Sequence, residues 1–355
     1  MKRSTVSCAR LSRVVLSLGA AALLGSLAVS AHAQVTLDMV TVGNPGNAND
    51  TGGTNNGAVA YSYQIGKYDV TIGQYASFLN AADPNGTNPN GIYNSSMATD
   101  LNIAGISYTS GASTGSKYAV ISNGGNSSNR PITYVSWFDA ARFANWMTNG
   151  QGGGDTETGA YTLNGATSGN AVAANPGAAF RLPTNDEWYK AAYYSPNYGG
   201  VGVAGYYAYA TQSNTDPGNQ IGGTANQANY NNGLYSVTQE ASYSASQNYL
   251  TDVGAFSGSG SFYGTFDQSG NVYQWNDLNG LPGSSRGLRG GYWFNSYPVY
   301  LSSSDSYSFD PSREDRVIGF RLASPVAVPE PSTCASLFAG LACGGSVVFR
   351  RRKRA

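Results

Sequence analysis

The stretch GTFDQSGNVYQWNDLNGLPGSSRGLRGGYW, residues 264–293, decides how the chain closes, and it is answered by IGFRLAS at 318–324. Phe266, Val272, Tyr273 and Trp275 crowd around Gly264 and Gly270. Glycine lets a backbone turn with positive φ or approach another backbone closely. Two glycine-bounded aromatic strands without helical period therefore read as the closing core of a domain. Arg286 and Arg289 alternate with Gly287 and Leu288 before the pair Gly290-Gly291. In a domain with so few charges these arginines are expected as buried hydrogen-bond hubs.

Working outward, seven blocks follow one another in a fixed order: Tyr68-Asp69-Val70-Thr71 with Gln74-Tyr75, Pro131 to Trp137 (PITYVSW), Phe180 to Thr184 (FRLPT) with Glu187-Trp188, Gly264 to Asp267, Gly270 to Trp275, Arg286 to Gly291, and Gly319-Phe320-Arg321. Together they resemble the formylglycine-generating enzyme (sulfatase-modifying factor) family, whose fold is related to that of C-type lectins. The resemblance runs from residue 68 to 321 as one unit, so one domain is expected where length alone would allow two. The expected class is α+β, a single irregular domain with short helices and small antiparallel sheets.

The ends carry processing signals. Lys2, Arg3, Arg10 and Arg13 precede an apolar run from Val14 to Val29 and the small-residue site Ala31-His32-Ala33. A secretory signal peptide over residues 1–33 is the reading. A membrane span is disfavoured, because the run is short, rich in Gly, Ala and Ser, and ends in an A-x-A site. The domain then covers 34–327. Residues 328–355 open with Val328-Pro329-Glu330-Pro331 and continue with 18 residues, Ser332 to Phe349, before the basic Arg350, Arg351, Arg352, Lys353 and Arg354. Eighteen helical residues extend about 27 Å, close to one bilayer crossing, with the basic end on the cytoplasmic side. This tail resembles the PEP-CTERM sorting signal of Gram-negative bacteria, which implies an exosortase-type processing enzyme as partner. It also implies transient membrane anchoring and a place on the outer surface or in the extracellular matrix. An ordinary C-terminal anchor gives the same topology but does not require Pro-Glu-Pro.

Between leader and tail lie 11 of the 20 Lys and Arg and 19 of the 20 Asp and Glu, a net charge of −8 where the whole chain is neutral. Nucleic acid is excluded as a partner class, since phosphate neutralisation needs clustered Lys and Arg. The three cysteines are Cys8, Cys334 and Cys343, and the single histidine is His32. The domain thus has no disulfide framework, no thiolate nucleophile, no Ser-His pair and no soft-metal site built on Cys or His. Its length suffices to bury a core without staples.

Stretches 42–60, 83–96, 150–178 and 197–233 are rich in Gly, Asn and Thr and read as mobile surface loops. Between them, Thr71 with Gln74 and Thr184 with Glu187 have capping-box spacing, and Ser136 with Asp139 is a looser version. Ala140, Phe143, Ala144 and Met147 fall on one face of a helix ending near Asn149-Gly150. Trp137 and Trp146 beside them are expected in the core.

The family resemblance implies a copper-dependent oxidase acting on a substrate cysteine, with copper held by two cysteines between the Arg-Gly-Gly and Gly-Phe-Arg blocks. Those positions fall on or near Asn295 and Tyr300, neither of which supplies a thiolate. A related sulfoxide-forming branch uses iron held by histidines, which the domain also lacks. No copper is expected, and the reading is a non-catalytic member. Structural calcium is implied by the resemblance at Gly270 and Gln274, where Gln stands for a common acidic residue, and at Asn229 and Tyr230. Turn formation is the alternative role for these residues.

Three functions stay open. Trp293, Tyr297, Asn295 and Tyr300 belong to an aromatic segment, Tyr292 to Phe309, that suits a carbohydrate or protein ligand; part of its rings are expected to pack inward. A purely structural exopolysaccharide or biofilm component is the second. An enzyme built on a carboxylate pair among Asp267, Asp305, Glu314 and Asp315 is the third. Trp293 and Tyr297 are the residues expected to line a groove after Gly290-Gly291.

Overall fold

The computed structural model describes residues 34–324; the leader and the Pro-Glu-Pro tail lie outside the described residues. No helix among the described residues is long and apolar enough to cross a membrane. In chain order the elements are β1 (Met39–Val42), β2 (Tyr63–Gly66), α1 (Ile72–Ala82), α2 (Ser96–Thr99), β3 (Ile106–Tyr108), β4 (Tyr118–Val120), α3 (Trp137–Thr148) and α4 (Asn185–Tyr193). Next come β5 (Tyr194–Ser195), β6 (Gly205–Tyr206), β7 (Tyr273–Asn276) and β8 (Arg286–Arg289). A 3₁₀ turn (Pro298–Leu301), β9 (Tyr307–Phe309), β10 (Ile318–Gly319) and β11 (Ala323–Ser324) complete the chain. The fold is the expected α+β domain of short elements joined by long irregular segments.

Each of the three longer helices starts where its capping residues stand. Thr71 Oγ1 accepts from the Gln74 amide at 3.3 Å while Gln74 Oε1 accepts from the Thr71 amide at 2.8 Å. Thr184 and Glu187 repeat the pattern at 3.2 and 2.8 Å. Ser136 and Asp139, the looser pair in sequence, make the complete box as well, at 3.1 and 2.8 Å. Such reciprocal caps satisfy amide donors that a helix start leaves open.

Helix α3 is buried on more than the single face that its apolar spacing predicts, since every residue from Trp137 to Met147 is buried, Asp139, Arg142 and Asn145 included. The segment 150–178 explains this. Glu157 pairs with Arg142 at 2.7 Å, and Asn145 holds the Tyr161 backbone through both its amide and its carbonyl. Tyr161 itself is buried and donates to Asp277 at 2.6 Å while accepting from the Leu182 amide. The stretch is an irregular surface segment, as its composition marks it, but Ala160, Tyr161, Leu163, Ala171 and Ala178 are buried and its polar side chains anchor it over the helix.

Two sheets frame the core. One has the order β1-β2-β11, all antiparallel, with Ile65 opposite both Val40 and Ala323. The other has the order β10-β7-β8-β9, in which β7, β8 and β9 are antiparallel neighbours and β10 runs parallel to β7. Between them Tyr75, Phe78, Phe143, Trp146 and Phe320 interlock with ring centroids 5.2 to 6.5 Å apart, the offset and edge contacts that aromatic quadrupoles prefer. Trp137 and Trp146 lie in this core as expected.

Candidate functional site

Strand β8 is followed by Gly290 and Gly291, with φ of 103° and 71°. A Cβ on Gly291 would sit 2.9 Å from the Tyr300 carbonyl oxygen, so only glycine lets the chain reverse here. Beyond the pair, Asn295 closes the turn: its Oδ1 accepts from the Tyr292 amide at 2.7 Å, and its own amide donates to the Tyr292 carbonyl at 3.0 Å. The 3₁₀ turn then presents Tyr300, and β9 brings Tyr307 and Phe309 alongside. These residues enclose a groove of about 600 Å³, with Arg313, Asp315 and Arg316 on its charged side.

The four residues expected there are brought together, but in different roles. Tyr297 is 65% exposed, and its ring meets Tyr300 edge-on at 6.3 Å. Trp293 is only 1% exposed and stacks on Tyr249 at 4.9 Å with the planes 7° apart. It packs with Ile103, Leu250 and Val272 and forms the floor of the groove rather than a free anchor. Its Nε1 is buried with no hydrogen-bond partner among the described residues. Alternate residues 291, 293 and 295 are buried while Tyr292 is half-buried and Phe294 is exposed, a strand-like alternation continued through an irregular turn. Sequence reading missed Tyr243, which reaches the groove from a distant segment, and Arg316, which follows Asp315.

The arginines before the glycine pair are buried hubs. Arg286 pairs with Asp277 at 3.2 Å, stacks over Trp137 and donates to the Val172 carbonyl. Arg289 stacks over Tyr189 and donates to the carbonyls of Asp305 and Ser303 and to the side chains of Asn185 and Thr54. Arg321 is the third: it donates to Gln274 Oε1 at 2.6 Å, the Gly66 carbonyl at 2.9 Å, the Phe266 carbonyl at 2.7 Å and Asp69 Oδ1 at 3.1 Å.

The residues considered for calcium are arranged otherwise. Asn229 and Gly270 are neighbours in a short parallel bridge, and Gly270 has φ of 87° with the Asn229 backbone directly against it. The Asn229 carbonyl accepts from the Asn271 amide at 2.8 Å, and its Nδ2 donates to the Tyr249 carbonyl and Asn271 Oδ1. The Tyr230 carbonyl accepts from Ser236 and Asn219. Gln274 Oε1 takes Trp188 Nε1 at 2.7 Å besides the Arg321 guanidinium, and its Nε2 donates to the Asp267 carbonyl. An oxygen held by two donors, one of them cationic, is a poor ligand for a hard cation. As a set these four do not fit a calcium ion; they fit a hydrogen-bonded turn.

The four carboxylates considered for catalysis do not converge, for only Asp315 lines the groove. It is paired with Arg313 at 2.7 Å. Glu314 turns to Asn94, and burial raises its carboxyl above the usual range. Asp267 accepts from the Gly254 amide at 2.7 Å; burial pushes its carboxyl up to about 6 against the pull of that bond and of Arg321. Asp305 is likewise pushed up to about 6 by burial, opposed by Arg289.

Among solved structures, the chain is similar to Treponema denticola variable protein 1, with 19% identity and a TM-score of 0.43 over 83% of this chain and 97% of that one. It is similar to CarF at 21% and 0.45 over 82% and 99%, and to PvdO from Pseudomonas aeruginosa at 18% and 0.39 over 82% and 92%. No curated protein matches the chain. The family model for the sulfatase-modifying factor enzyme 1-like domain matches residues 29–326, and the chain belongs to that family.

Proposed function

We propose that this domain is a non-catalytic, ligand-binding member of its family, and that the groove beyond Gly290-Gly291 takes a carbohydrate. The observation that carries the reading is the turn at Asn295. At the position where the family places a copper ligand, an amide closes its own turn onto Tyr292, and the space beside it is an open groove faced with rings. Tyr297, Phe294 and Tyr307 are 65%, 43% and 37% exposed, and Arg313, Asp315 and Arg316 stand beside them. Ring faces suit the apolar face of a sugar, while guanidinium and carboxylate groups suit its hydroxyls. With neither Cys nor His between residues 34 and 327, copper or iron chemistry of the family's kind has no ligands here.

Export and surface anchoring are part of the same proposal and rest on the leader and the tail, including processing by an exosortase-type enzyme. Mass spectrometry of protein from the native host tests this: a species beginning at Gln34 and lacking Arg350 to Arg354 supports it, and an intact tail counts against it.

The binding reading is tested by presenting the purified protein to glycan and protein arrays, then repeating with Tyr297→Ala. Retention on glycans, weakened by ~2 kcal/mol or more in the variant, is the expected result for a hot-spot ring. Retention on proteins alone replaces the ligand class, and silence on both arrays favours a purely structural role. Incubation with Cu(I), oxygen and a sulfatase-type cysteine peptide is expected to leave the peptide unoxidised; turnover above a metal-free control would overthrow the non-catalytic reading.

A further inference from the structure

A second cleft, of about 590 Å³, shares no lining residue with the groove. Its walls are Gln34 to Asp38, Tyr68 to Val70, the start of α1, Ser128-Asn129 and Asp252-Val253. Asp69 lines it and is 2% exposed. One of its oxygens, Oδ1, receives Arg321. The other, Oδ2, is buried with no partner among the described residues.

Counting charges around that oxygen shows what is missing. Arg321 acts electrostatically on two carboxylates, Asp69 and Asp267. Asp38 and Asp252 add two more at the exposed mouth, where Arg130 acts on Asp252 alone. The nearby Lys67 places its Nζ over the Tyr68 and Phe266 rings, 5.2 and 5.6 Å from their centroids. One guanidinium shared between the buried Asp69 and the half-buried Asp267 leaves the cluster a positive charge short, a costly state unless a proton or a cation answers it.

Two alternatives are disfavoured by the walls. The first amides of α1 are occupied, Ile72 by the Arg130 carbonyl, Gly73 by the Ser128 carbonyl and Gln74 by Thr71, so the helix start offers no donors to an anion. No group of three acidic, His or Cys side chains among the described residues is placed to hold a metal ion. A compact ammonium needs less: one strong acceptor and a few hydroxyls or carbonyls for its other protons, and Ser77 and Ser128 line the cleft.

We propose that this cleft binds a protonated primary amine, which donates to Oδ2 of Asp69 and is drawn in by Asp38 and Asp252. The amine is either a small free diamine or the lysine side chain of another protein; the chemistry at Asp69 is the same. Burial pushes the Asp69 carboxyl up to about 8, against the pull of Arg321. An ammonium arriving there displaces the carboxyl proton, so binding releases a proton and strengthens as pH rises from about 6 to 8.

The test is calorimetry on the whole protein with 1,5-diaminopentane, with Nα-acetyl-lysine amide and with 1,5-pentanediol. Saturable one-to-one binding of an amine is expected, with none for the diol. Comparing two buffers of different ionisation heat should reveal the released proton. Asp69→Asn should weaken binding about tenfold or more, and Asp252→Asn, at the exposed mouth, about twofold with a smaller salt dependence. Asp252→Asn keeps the test open should Asp69→Asn fail to fold once Arg321 loses its partner. Binding of the diamine alone identifies a small soluble amine, and binding of the lysine amide alone identifies a protein side chain. Equal binding of diol and amine, no saturation by either amine, or a folded Asp69→Asn protein that binds like the wild type would overturn the proposal.

Discussion

Arg321 and Tyr297 mark two ways of using a large side chain in one domain. Around Arg321 the five guanidinium protons meet five acceptors, Gln274, Asp69 and the carbonyls of Gly66, Lys67 and Phe266, and the side chain has no contact with solvent. Around Tyr297 the ring stands in solvent, touching little but Tyr300. The difference separates what holds this fold from what it displays. With 33 residues in strands that are four residues long at most, ladder hydrogen bonds alone cannot tie the chain. Buried polar hubs join the segments instead, which leaves the segment after Gly290-Gly291 free to carry rings on its surface.

The strongest way to break the contrast is Arg321→Met. Removing one partner of a buried ion pair leaves Asp69 and Gln274 uncompensated, and a loss of ~3 to 5 kcal/mol is expected in chemical denaturation. A loss below ~1 kcal/mol would mean that the hub is dispensable.

Within the groove itself the contrast sharpens between neighbours. Trp293→Ala empties a stacked core position and should cost ~3 to 5 kcal/mol, while Tyr297→Ala should change stability by no more than ~0.5 kcal/mol. Equal melting temperatures for the two variants would show that floor and rim are not distinct.

A smaller effect comes from pH. Burial raises the carboxyl of Asp139 to about 7, with Glu314 adding to the rise, and those of Asp267 and Asp305 to about 6. In the unfolded chain they titrate near ~3.9. Below that value both states hold the protons and pH has no effect. As pH rises, the unfolded chain releases its protons first, so stability declines from about pH 4 to about pH 8, where Asp69, raised by burial to about 8, is the last of these carboxyls to ionise, and then levels off. Lys190, lowered by burial to about 8, acts only above that window. A melting temperature that falls between pH 5 and 7 is expected; a rise over the same interval would contradict the burial of these groups.

The smallest effect is expected from calcium. Since Gln274 is already engaged by Trp188 and Arg321, millimolar calcium against a chelator should move the melting temperature by less than ~1 °C. A shift of several degrees would point to a cation at Asn229 or Gly270 after all.

What could be read in advance follows the same division. The blocks around Asp69, Trp137, Glu187, Trp275, Arg289 and Arg321 carry the fold because each combines a glycine, a ring or a charge that only one environment suits. The capping pairs at Thr71, Ser136 and Thr184 place three helix starts to the residue, since that hydrogen bonding is local. The buried arginines were legible from their apolar, glycine-rich setting. The roles of Trp293 and Tyr297 were not, because a turn closed by Asn295 has no period from which to tell inside from outside. Nor was the burial of Tyr161, which depends on Asn145, 16 residues away, and on Asp277, 116 residues away in the chain.

Strand β2 lies between β1 and β11, so the first and last described strands meet in one small sheet. Arg321, just before β11, reaches the Gly66 carbonyl across 255 residues of chain. Contacts this distant in sequence must wait for the loop between them to close, which slows folding. During synthesis that sheet and its arginine hub cannot form until residue 324 has emerged. The sheet that joins the two ends of the domain is therefore the last part of the fold to close, and a chain cut short before Ala323 lacks its third strand.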